Sequence, residues 1–168
     1  NWSRRTTRER FTNVENRWAV NYIDAVYSTL LCGVSSTENV GSLVLELDSN
    51  KYDDWDGRPI VRTLQGPYIW NNLKKLFIRM FKVDMEVGTV PQNGQGSNPI
   101  LEVGISDDGY VFDYIRRVNL PVIGKYKGQV ILTGLGSSYN PVIRLKISDP
   151  IPFVVLGADM EVRQSNAY

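Results

Sequence analysis

Apolar and polar residues alternate along much of this chain with the two-residue period of β-strands. The organising stretch is Leu76 to Val87, Leu-Phe-Ile-Arg-Met-Phe-Lys-Val-Asp-Met-Glu-Val, whose last four residues recur as Asp159-Met160-Glu161-Val162. An alternating reading turns Phe77, Phe81, Val83, Met85 and Val87 toward a core together with Arg79. It turns Ile78, Met80, Lys82, Asp84 and Glu86 outward. A helix competes, because Ile69, Leu73, Leu76 or Phe77, and Met80 recur at three and four residues. Pro67 ahead of the segment, the lack of a capping box after Asn71-Asn72 and the turn at Gly88 favour the strand.

The same pattern predicts the other elements. Trp18-Ala19-Val20, Thr29 to Gly33 and Leu43 to Leu47 read as a meander, and Arg58 to Leu64 reads as a returning strand with Pro59 at its start. Ile100 to Ser106 sets Leu101, Val103 and Ile105 on one face. The turn Ser106-Asp107-Asp108-Gly109 then leads into a strand on which Tyr110, Phe112 and Tyr114 alternate. Three further strands are expected: Gln129 to Leu135, Val142 to Ser148 and Phe153 to Arg163. In the second, Ile143, Leu145 and Ile147 point inward against Arg144 and Lys146. In the third, Val154, Leu156, Ala158, Met160 and Val162 oppose Asp159 and Glu161. Gly66-Pro67-Tyr68 marks a boundary between residues 1–65, a partial propeller-like β-meander with a basic N-terminal arm, and residues 66–168, an antiparallel β-sandwich or barrel. The expected fold class is all-β.

Composition narrows the chemistry. The chain has 168 residues, 42% hydrophobic and 22% charged, enough for a real core. Its net charge of +1 sets up no global field toward nucleic acid or membrane, so any such contact has to be local. With no histidine and a single cysteine, Cys32, the chain lacks the residues for His-based acid–base catalysis, His/Cys zinc sites and internal disulfides. Cys32, in an apolar run, reads as a small buried hydrophobe. The acidic window Asp48 to Gly57 misses calcium-loop spacing at Asp48, Asp53, Asp54 and Asp56, and reads as a turn. Gly88 to Pro99 is a turn-rich loop without a phosphate-loop lysine. Asp107 and Asp108 are adjacent in a turn and point apart, so they make no glycosidase pair. No nucleophile, base and orienting group assemble from the sequence, and the expectation is a protein that is not an enzyme and uses no cofactor or metal. No apolar run reaches membrane-spanning length. A start at Asn1 suggests a piece of something longer. Arg4, Arg5, Arg8 and Arg10 read as a solvated or subunit-facing edge, with contact to a DNA backbone as the functional alternative.

An ordered series of residues resembles the tail nozzle, or packaged-DNA stabilisation, proteins of short-tailed phages. The series runs from Gly41 with Leu43 to Asp48 through Tyr52-Asp53, Asp56-Gly57-Arg58-Pro59-Ile60, Asp84 to Gly88 and Gly94 to Ser97. It continues with Ser106 to Gly109, Gly134-Leu135-Gly136, Arg144 to Pro150 and Gly157 to Val162. The resemblance covers roughly residues 17 to 166. It implies a propeller-like body followed by a sandwich, in a ring of six on the virion tail that retains packaged DNA and conducts it during ejection. It also implies portal adaptor, tail fibre or spike, and tail needle or plug as partners. Trp18, Tyr52, Trp55, Tyr68 and Trp70 are the expected subunit contacts, since large aromatics are enriched in interface cores. The rival expectation is a carbohydrate- or receptor-binding sandwich that stacks sugars on Trp55, Tyr110 and Tyr114.

Overall fold

The computed structural model describes residues 4–8, 14–34, 41–72, 74–87, 96–112, 114–120 and 127–164. Among them the chain is all-β, with thirteen strands and no helix. In chain order, β1 (Arg4–Arg8) pairs β2 (Glu15–Arg17), and β3 (Val20–Val26), β4 (Thr29–Val34) and β5 (Leu43–Glu46) form a three-stranded meander. There follow β6 (Ile60–Gln65), β7 (Leu76–Val87), β8 (Ile100–Ser106), β9 (Tyr114–Asn119), β10 (Lys127–Thr133), β11 (Ser137–Ser138), β12 (Val142–Ile147) and β13 (Phe153–Gln164). The largest sheet has the order β2-β1-β6-β12-β8-β9. A second is built on β7, with β13 along one edge and β10 then β11 along the other. All these pairings are antiparallel.

The two larger sheets share one apolar core. Leu101, Val103 and Ile105 of β8 and Ile143, Leu145 and Ile147 of β12 meet Ile78, Phe81, Val83 and Met85 of β7 and Val130 of β10. The inward faces of β8 and β12 are those that alternation predicts, because both strands lie inside a sheet with regular register on both sides. Burial of aliphatic side chains at about 25 cal/mol per Å² is what holds the layers together.

Several strands depart from the sequence expectation; the first of the meander, expected at Trp18-Ala19-Val20, runs Val20–Val26. On β7, Leu76 and Ile78 are buried and Phe77 is exposed, opposite to the predicted parity. Glu161 pairs Met80 but Val162 pairs Ile78, so Arg79 is an extra residue, a β-bulge that turns the first part of the strand over. On the other edge Gly134 and Gly136 take positive φ and reach across this irregularity: the Gly134 amide donates to the Arg79 carbonyl, and the Gly136 carbonyl accepts from the Ile78 amide. On β13 a second bulge falls at Leu156, between the pairs Val155–Met85 and Gly157–Asp84. Before it Phe153 and Val155 pack on the core and Val154 is exposed; beyond it Met160 packs on the core as alternation expects, while Leu156 at the bulge and Ala158 and Val162 after it are exposed. Tyr110 and Phe112 precede β9 rather than lying in a strand.

Arg4–Arg8, expected as part of an arm, forms a strand between β2 and β6, and Thr6 and Thr7 are buried there. The six-stranded sheet therefore takes β1, β2 and β6 from before Gly66-Pro67-Tyr68 and β8, β9 and β12 from after it.

Candidate functional site

A cleft of about 910 Å³ opens between the meander, the inner end of β6 and the start of β13. Its floor is apolar, with Cys32, Val34 and Leu45 from the meander facing Leu64, Leu145 and Phe153. Burial pushes the Cys32 thiol up, so it stays protonated and acts as a hydrophobe.

The acidic window forms the rim as a turn. Gly57 adopts φ +77°, the Gly57 amide donates to the Asp54 carbonyl at 2.8 Å, and Asp53 bridges to Pro59. Asp54 is a structural acceptor: Trp18 Nε1 donates to one carboxylate oxygen at 3.0 Å and Thr7 Oγ1 to the other at 2.6 Å. The Arg5 guanidinium lies 5.2 Å over the Trp18 ring. Arg62 lies 5.7 Å over Tyr52 and donates to the Ile151 and Asp149 carbonyls at 2.8 and 2.7 Å. Burial, and then repulsion from Arg5, hold the Arg62 guanidinium below its ordinary pKa. The cleft thus presents aromatic rings, guanidinium groups and carboxylates above an apolar floor. Among the described residues no three His, Cys, Asp or Glu side chains come together as a metal site.

Of the aromatic candidates, Trp18, Tyr52 and Trp55 meet in this cleft, Trp55 being 46% exposed. Tyr68 and Trp70 lie outside it on the segment between β6 and β7, where the Tyr68 hydroxyl donates to the Asp108 carbonyl at 2.6 Å. Tyr110 stands exposed on the turn after β8, and the Tyr114 side chain lies outside the described residues.

The arginines separate. Alternation along β1 sends Arg5 into the cleft and puts Arg4 and Arg8 on the opposite, outer face of the six-stranded sheet; Arg10 lies outside the described residues. One cross-strand row on that face runs Arg4, Thr63, Lys146, Glu102, Arg117. Lys146 is ion-paired with Glu15, and Arg117 Nε with Glu102 at 2.9 Å. Burial works against ionised Glu15, but the hydrogen bond and charge of Lys146, with Thr6 and Arg8, outweigh it and leave its carboxyl below the ordinary range. Arg144 stacks 3.7 Å from the Phe112 ring, which rests on Gly104, where an added Cβ would come within 3.0 Å of the ring. A shallow pocket of about 220 Å³ lies between Arg4, Glu15, Gln65, Arg144 and Lys146. The sequence marks Arg144 and Lys146 as outward, yet nothing in a single sequence shows that β1 and β12 are separated only by β6. That juxtaposition belongs to the fold.

No protein-family model matches the chain, and no curated protein matches it.

Proposed function

We propose that this chain is a structural virion protein, a subunit of the tail nozzle of a short-tailed phage that retains packaged DNA and conducts it during ejection. In this reading β3–β5 is the end of a propeller-like body and the two core-sharing sheets are the terminal β-sandwich. The meander carries the proposal. β3 and β5 are its outermost strands, and apolar side chains stand in solvent on both of its faces. Tyr22 and Val44, 66% and 74% exposed, flank Gly33 on one face, while Ile23 and Leu30 are exposed on the other. A small sheet with open edges and apolar faces invites pairing, and native proteins cover such edges. Neighbours in a cyclic homo-oligomer, by resemblance a hexamer, supply that cover, and Trp55, Tyr68 and Trp70 add exposed aromatic contacts. Portal adaptor, fibre or spike, and needle or plug proteins are the other partners on the virion tail.

A second reading, a carbohydrate- or receptor-binding module, draws support from Trp55 at the cleft beside Lys51 and Asp53, where a sugar ring can stack and hydrogen-bond. Negative-stain images of the protein mixed with tail components separate the two. A ring is expected; a monomer that binds on a glycan array overturns the nozzle reading.

A further inference from the structure

We infer that the outer face of the six-stranded sheet is a docking surface for the phosphate backbone of duplex nucleic acid, bound without reading sequence. The inference rests on the reading of the chain as part of a DNA conduit, and goes beyond it by assigning the face and the residues. Strand register collects six cationic side chains there, Arg4, Arg8, Arg17, Arg117, Arg144 and Lys146, against the carboxylates Glu15 and Glu102. The whole chain carries a net charge of only +1, so positive charge is concentrated on one side. Arg5 and Arg62, next to this set in sequence, point to the other face.

The shape suits a duplex. From Arg4 on β1 to Arg117 on β9 the row crosses four inter-strand steps of about 4.8 Å, roughly 19 Å in all. That span reaches phosphates on both sides of a major groove about 12 Å wide. Thr63 and Gln65 add polar groups between the cations, and the phosphates of B-DNA follow one another closely enough to meet several at once. Ion pairing with Glu15 and Glu102 holds Lys146 and Arg117 in place over the sheet. Stacking on the Phe112 ring does the same for Arg144. An anionic membrane fits less well, because among the described residues the face offers Ile100 and Ile115 as exposed aliphatics, and its aromatic ring, Phe112, is stacked on Arg144.

The test is fluorescence anisotropy of the 168-residue chain with short duplexes of unrelated sequence across a salt series. Equal affinity for all sequences is expected, with log K falling linearly against log salt. Arg144→Gln and Arg17→Gln should each lower the slope by about 0.9 and weaken binding roughly tenfold at 50 mM salt. Arg79→Gln, the same charge change on β7, should do neither. Arg17 is exposed on β2, so its variant keeps the test decisive should Arg144→Gln fail to fold. Unchanged binding in the Arg17 variant, an equal loss in Arg79→Gln, or preference for phosphatidylserine vesicles over duplex overturns the inference. A ring that ignores duplex overturns this assignment alone, and a chain that binds duplex without ever assembling overturns the nozzle reading alone.

Discussion

β12 and β4 are both six-residue strands with an antiparallel neighbour on each side, yet they lie in different surroundings. β12 buries Val142, Ile143, Leu145 and Ile147, whereas β4 buries only Cys32 and Val34 and leaves Leu30 45% exposed. Their hydrogen-bond ladders are alike; the layer stacked on them differs. The inner face of β12 lies against β7 and its neighbours, while one side of β4 borders a cleft and the other is open. Pairing makes a sheet, but stacking makes a core.

The largest expected effect sharpens this contrast. Leu145→Ala should cost about 2–5 kcal/mol in denaturant melts, because it removes a buried side chain from between two layers. A loss under about 1 kcal/mol would put β12 in the same class as β4. Arg62→Met comes next. It deletes two charge-assisted hydrogen bonds to the Asp149–Ile151 corner and should cost about 2–3 kcal/mol, tying the cleft wall to the core side of the comparison. A change within about 0.5 kcal/mol would show that the corner holds without it.

The meander should respond differently. Tyr22→Ser with Val44→Thr is expected to shift stability by no more than about 0.5 kcal/mol per site while reducing self-association in sedimentation runs. Lost stability without any change in association would mean that the sheet is completed from within the chain. The smallest effect is a titration on the core side. Backbone amides of Val111 and Tyr110 and the Ser106 hydroxyl hold the Asp108 carboxyl below its ordinary range. A depressed folded-state pKa adds stability above the unfolded value, about 3.9, that is lost as pH falls through the folded one. The amide shifts of Tyr110 and Val111 should therefore move together with a midpoint below about 3.9; a midpoint at or above it would contradict the turn.

Much of the core was legible in the sequence. Leu101, Val103, Ile105, Ile143, Leu145 and Ile147 follow strict alternation, and alternation suffices where a strand keeps one register across its length. Phe77, Val154 and Leu156 depart from their expected faces because one inserted residue reverses the side chains on one side of it, and the hydrophobic pattern absorbs a bulge without trace. β1 was hidden for another reason: Arg-Arg-Thr-Thr-Arg has no apolar residue, so its place in the sheet comes from pairing with β6. Trp18, Tyr52 and Trp55 stand among the five aromatics expected at a subunit contact, but their meeting in one cleft depends on contacts between segments far apart in sequence, as does the basic face.

The order β1-β6-β12 also has a consequence for synthesis on the ribosome. β6 finds its N-terminal partner at once, but its other edge pairs Gln65 with Arg144, a residue made about eighty positions later. At 5–20 residues per second, roughly 4–16 s pass before that edge can close. Until then Ile60-Val61-Arg62-Thr63-Leu64-Gln65 is an open template in a crowded polysome. Arg62, later an anchor for the corner after β12, serves first as the charge that keeps nascent neighbours apart.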